Sequence, residues 1–71
     1  MAKQIVSNVS GVVMRILAKP GDQVKVEQDV LAVESMKMEM MVPSNLTGKI
    51  SKCLVAVEDF VQEGQALFEI E

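Results

Sequence analysis

Ser7-Asn8-Val9-Ser10-Gly11 and Ser44-Asn45-Leu46-Thr47-Gly48 are near copies of one another, 37 residues apart. Laid over each other at that offset without gaps, residues 7–34 and 44–71 agree at eight of 28 positions: Ser7/Ser44, Asn8/Asn45, Gly11/Gly48, Leu17/Leu54, Asp22/Asp59, Val24/Val61, Gln28/Gln65 and Glu34/Glu71. Average composition would give roughly two. Other pairs keep their character, among them Val13/Ile50, Arg15/Lys52, Val30/Leu67 and Val33/Ile70. A unit this short cannot close a core alone, so two copies are expected to bury their apolar sides face to face around a quasi-twofold axis.

Each copy reads as strands. Gly11 to Lys19 is rich in Val and Ile, Pro20-Gly21-Asp22 is a turn, and Val30 to Glu34 is a second apolar run. Helix is disfavoured because β-branched residues abound and no 3.6-residue stripe persists. Glycine at both 11 and 48 fits either a close backbone approach or the end of a turn. Asp22 and Asp59 occupy equivalent turns, where a carboxylate accepting from nearby backbone explains them better than acid–base chemistry.

Between the copies lie residues 35–43, which hold Met36, Met38, Met40 and Met41, four of the six methionines, together with Lys37. Strands ending at Glu34 and restarting near Glu39 leave room only for a hairpin with Met36-Lys37 at its tip. A lysine at a tip is by default a solvated charge. Its setting is unusual, however, because exposed methionine is normally avoided and a tip favours Asn or Gly. Met40 and Met41 read as flexible core filler, whereas Met36 and Met38 straddle the lysine as an adaptable apolar collar.

Composition narrows the function. At 71 residues the chain is one domain, burying only about 60% of the surface its unfolded chain exposes. One cysteine and no histidine rule out a disulfide within the chain and Ser-His-Asp or Cys-His nucleophiles, and argue against a zinc site. Cys53 aligns with Ile16 and reads as a buried small hydrophobe. A net charge of −3 with only 3% aromatics argues against nucleic acid. Met1-Ala2-Lys3-Gln4-Ile5 lacks a leader's apolar stretch and no run approaches a membrane span of about 20 residues, so a cytoplasmic, monomeric domain is expected.

Glu34-Ser35-Met36-Lys37-Met38-Glu39 resembles the attachment motif of biotinyl domains, Glu-Ala-Met-Lys-Met. The resemblance runs through the whole chain: an early glycine, a turn like Pro20-Gly21-Asp22 followed by Val24, an apolar run before the motif, and a second half repeating the first. It implies an all-β flattened barrel or sandwich of two four-stranded antiparallel sheets. It further implies that Lys37 carries biotin as an amide and that Glu34, Ser35, Met36, Met38 and Glu39 are read by a ligase or partner. The implied partners are biotin protein ligase, biotin carboxylase and a carboxyltransferase, between which the carrier would shuttle an activated carboxyl group.

Two departures from the family pattern stand out. Ser35 replaces a commoner alanine, and Glu27 stands where a turn glycine is usual, as Gly64 does in the second copy. If that turn needs positive φ, Glu27 is strained by roughly 1 kcal/mol, or the first-copy turn differs in geometry. No inserted loop interrupts the first half, so the thumb of some acetyl-CoA carboxylase carriers is not expected. Lipoyl carriers share this fold and also use a hairpin lysine, but their usual flanks are an aspartate before it and a small residue after, unlike Met36 and Met38. A third reading takes the Met-rich tip as an unmodified docking surface.

Overall fold

A computed structural model describes residues 3–71; Met1 and Ala2, part of the segment read above for leader character, lie outside the described residues. The described chain forms eight strands and no helix: β1 (Lys3–Val6), β2 (Gly11–Ile16), β3 (Gln23–Val24), β4 (Asp29–Ser35), β5 (Met38–Pro43), β6 (Gly48–Cys53), β7 (Phe60–Val61) and β8 (Ala66–Ile70). They build two antiparallel four-stranded sheets, ordered β1-β8-β6-β3 and β5-β4-β2-β7.

Exchanging strands 37 residues apart, β1 with β5, β2 with β6, β3 with β7 and β4 with β8, converts one sheet order into the other. The copies do not face each other as separate bodies, as a simple reading of the repeat suggests. β3 of the first copy joins β6 and β8 of the second, and β7 of the second joins β2 and β4 of the first, with β1 and β5, which precede the copies, as matching edges; the copies therefore interleave. The reason is hydrogen bonding: strands of two to seven residues have too little partner within one copy, and exchange satisfies backbone groups that burial would leave unpaired.

Side-chain alternation then fills the space between the sheets. Ile5, Val13, Val24, Val30, Leu31, Val33, Val42, Ile50, Val61, Leu67, Phe68 and Ile70 form one buried cluster. Each large aliphatic in it contributes about 1.5–3 kcal/mol by leaving water. Cys53 is half-buried against this cluster rather than fully enclosed, as is its mate Ile16.

Hydrogen bonds repeat at the same offset. Asp22 accepts from the Lys19 amide (3.0 Å) and Asp59 from the Ala56 amide (2.8 Å), the backbone role their turns suggested. Gln28 and Gln65 likewise accept from the amides of Lys25 and Gln62. Thr47 accepts from the Val26 amide and Ser10 from the Glu63 amide, each stitching one copy to the other.

Glu27 adopts φ 72° and its mate Gly64 φ 88°, and their amides donate to the carbonyls of Ser44 (2.8 Å) and Ser7 (2.7 Å). The first-copy turn therefore keeps the same geometry and Glu27 bears the strain. The sequence contains the reverse case as well, for Gly21 has φ 96° while its mate Glu58 has φ 80°. Nothing lies within 4 Å of a Cβ built on Gly21 or Gly64, so the conformation is set by the turn and not by crowding. Glu27→Gly and Glu58→Gly are each expected to raise stability by roughly 0.5–1 kcal/mol, the relief of left-handed strain outweighing glycine's extra unfolded freedom. Urea denaturation midpoints check this, and a fall for both variants would refute it.

Met40 and Met41 are not core filler: they are 42% and 40% exposed. They lie on β5, the edge strand of its sheet, where only Val42 reaches the cluster. Met41 stands opposite Ala32 on the outer face, and Met40 stands opposite Val33 toward the tip, beyond the closed part of the core.

Candidate functional site at the β4–β5 hairpin

β4 is fixed in place by burial, since Val30, Leu31, Ala32 and Val33 are all fully enclosed. Its pairing with β5 sets Leu31 against Val42, Val33 against Met40, Glu34 against Glu39 and Ser35 against Met38. A one-residue slip would turn this apolar set outward, so the register is firmly specified. Two residues are left to turn the chain, Met36 (φ 53°) and Lys37 (φ 64°). Positive φ at both central positions is the type I′ hairpin turn, which matches strand twist but favours Asn-Gly.

Neither Met nor Lys is at ease there, and each stores on the order of 1 kcal/mol of left-handed strain that the rigid strands below hold in place. Met36→Asn is accordingly expected to stabilise the domain by about 0.5–1 kcal/mol. Thermal melts of the variant beside the wild-type domain check this, and a lowered midpoint would refute it.

The tip stands clear of the body. Met36 is 93% and Met38 66% exposed, Lys37 is exposed, and Ser35 is half-buried at the base. Lys37 makes no ion pair among the described residues. Glu34 and Glu39 face one another across the hairpin, an unfavourable like-charge pair. Arg15 of β2 relieves it, reaching over β4 to Glu39 at 2.7 Å. With both side chains more than a third exposed, the bridge adds at most about 1 kcal/mol, and its main effect is to leave Glu34 as the uncompensated acid beside the tip.

This arrangement suits covalent attachment of a carboxylic acid through an amide: one accessible amine on a stiff projection, with no wall around it. No group of three or more Cys, Asp or Glu among the described residues is placed to hold a metal. The hairpin thus brings Glu34, Ser35, Met36, Lys37, Met38 and Glu39 together. Arg15 was missed in reading the sequence because its partner lies 24 residues away on a non-neighbouring strand.

The chain's likeness to known proteins is consistent with this geometry. A family model described as "Biotin-requiring enzyme" (biotin/lipoyl) matches residues 1–70. The dihydrolipoyllysine-residue acetyltransferase component of the Pseudomonas aeruginosa pyruvate dehydrogenase complex is 36% identical over 93% of this chain, which spans 12% of that protein. The biotin carboxyl carrier protein of acetyl-CoA carboxylase from Solanum lycopersicum is 34% identical over 94% of this chain and 96% of its own length. Kluyveromyces lactis urea carboxylase contains a domain that superposes with a TM-score of 0.86 at 31% identity, covering all of this chain and 6% of that one. The chain belongs to the biotin/lipoyl family and is a carrier domain homologous to those of carboxylases.

Proposed function

We propose that this domain carries biotin on Lys37 and shuttles an activated carboxyl group between a biotin carboxylase and a carboxyltransferase. The observation that supports it most directly is the tip itself: an exposed lysine between two exposed methionines, in the run Glu34-Ser35-Met36-Lys37-Met38-Glu39. Biotin, once bound, supplies the carboxyl-carrying chemistry, and the protein supplies placement.

The domain's own residues do little chemistry. A free carboxylate is a poor acyl donor to an amine, so acylation depends on a ligase that makes an acyl-adenylate from biotin and ATP. Lys37 Nζ, deprotonated in that enzyme, attacks the acyl carbon. The C–N amide bond forms as the C–O bond to AMP breaks, and the amine proton passes to a base of the ligase or to solvent. Afterwards the stiff hairpin delivers the attached group, and a tether to partner enzymes raises its local concentration toward the millimolar range.

Lipoate is the second reading, favoured by the acetyltransferase relative at 36% identity. The flanks Met36 and Met38 weigh against it. Expression beside both a biotin ligase and a lipoate ligase, followed by intact mass and peptide sequencing, separates the two. One biotinyl group on Lys37 is the expected product. A lipoyl group there, or no adduct at all, overturns the proposal.

A further inference from the structure

The duplication supplies an internal control. Because both sheets share one backbone plan, a residue and its mate 37 positions away meet the same structural demands, and a difference in polarity between them has some other cause. Leu17 and Leu54 illustrate the ordinary case: both are exposed leucines, and the fold alone explains the pair. Val26 is a lone exposed apolar residue in a loop, of the kind every protein surface carries.

The outer face of the sheet β5-β4-β2-β7 behaves differently. One row across it, set by the strand register, runs Phe60, Val12, Glu34, Glu39. The next runs Arg15, Ala32, Met41, with Met14 at the adjoining bulge. The equivalent rows on the other sheet are polar. Gln23 stands for Phe60, Lys49 for Val12, Glu71 for Glu34, Lys52 for Arg15, Glu69 for Ala32, Gln4 for Met41 and Ser51 for Met14. Val12, Met14, Met41 and Phe60 are all exposed, Phe60 by 61%, although the only other phenylalanine is wholly buried. The fold does not need these four apolar groups, since the equivalent positions of the other sheet, Gln23, Lys49, Gln4 and Ser51, do without them.

We infer that this face, on the sheet that carries the hairpin, is the surface on which the biotin protein ligase seats; the inference rests on the carrier reading above. The row of Val12 and Phe60 lies two residues, or about 7 Å, below the level of the turn at 3.3 Å per residue, and the row of Met14 and Met41 two residues further, at about 13 Å. To acylate Lys37 the ligase must bring its adenylate to about 3–3.5 Å from the amine, so its rim reaches the row. An enzyme acting on an attached group would need no such approach, because a lysine stem lengthened by an acyl arm would let it work farther from the strands. Charge identifies the matching surface: Arg15 compensates Glu39, and Glu34 stays unpaired among the described residues beside Val12 and Phe60. The complementary ligase surface is apolar with a lysine or arginine aimed at Glu34.

The test installs each mate's residue: Val12→Lys, Met14→Ser, Met41→Gln and Phe60→Gln together, with Phe60→Gln alone as the milder variant. Purified biotin protein ligase, biotin and ATP are supplied, and amide formation at Lys37 is followed by mass against carrier concentration. The quadruple variant is expected to raise KM about tenfold or more with kcat within about twofold, the pattern of lost ground-state docking. Phe60→Gln alone should raise it about threefold, and carries the test if the quadruple variant fails to melt cooperatively. Glu34→Gln should raise KM and flatten its dependence on salt. Unchanged kcat/KM in folded variants overturns the inference and leaves the carrier reading standing, whereas a wild-type domain that is never biotinylated overturns both. Sedimentation that shows a wild-type dimer, lost in the quadruple variant, assigns the face to self-association and likewise overturns it.

Discussion

Lys37→Arg is expected to leave the fold intact and to abolish attachment completely. Arginine keeps the positive charge and a long flexible stem, and at an exposed tip with no ion pair among the described residues the exchange disturbs no contact. Stability should therefore change by less than about 0.5 kcal/mol. The guanidinium cannot take the lysine's place as nucleophile, being charged at every accessible pH. With active ligase, biotin and ATP, intact mass should show no biotinyl increment, and any carboxylase assembled around the variant should be inactive. An unmodified docking module predicts the opposite, because a surface read for its methionines and charge tolerates arginine. Full function in the variant would therefore favour that module and remove the carrier reading.

The hairpin was readable because three local signals agree: the repeat ends at Glu34, the next apolar alternation begins near Glu39, and too few residues remain for anything but a tight turn. The strain at Glu27 was readable because its mate is Gly64, and the structure confirms that both occupy one conformation. The mirrored strain at Glu58 follows from the same comparison with Gly21 and went unread.

Other features depend on pairing between distant residues, which local pattern does not carry. Interleaving of the two copies is of this kind, as are the two-residue strands β3 and β7, too short to show alternation. The eight-strand, two-sheet plan was available only through family resemblance. Met40 and Met41 were misplaced for a related reason: apolar residues in a strand signal burial only when the strand is flanked on both sides, and nothing local marks β5 as an edge. Once topology is known, the repeat becomes more informative than it was as bare sequence, since it says which exposed apolar groups the fold does not require.

Gly11→Ala is expected to be the most destabilising single-atom-scale change in the domain, and Gly48→Ala, its exact counterpart in the other half, a milder one. A Cβ on Gly11 would collide with the Glu34 carbonyl oxygen and come to 2.6 Å from Val33 Cγ1. The first obstacle is backbone of the central strand β4 and the second belongs to a fully enclosed side chain, so neither can yield cheaply. On Gly48 the clash is with Ile70 Cγ2 at 2.5 Å, and the nearest backbone atom is 3.6 Å away. Ile70 is buried as well, but relief there takes a shift of one side chain and no backbone, at a cost of about 1–3 kcal/mol, whereas the Gly11 clash, which must also move β4 backbone, should cost about 3 kcal/mol or more. A domain of this size has only about 3–5 kcal/mol to lose, so Gly11→Ala should be largely unfolded near 37 °C and Gly48→Ala folded. The position has a functional side too: the displaced carbonyl belongs to Glu34, two residues from the turn. At low temperature, where both variants fold, Gly11→Ala should slow acylation of Lys37 while Gly48→Ala, at the opposite end of the molecule, leaves it unchanged. Urea denaturation and attachment rates on the pair decide the matter, and equal losses in both halves would show that the crowding at Gly11 does not bear on the hairpin.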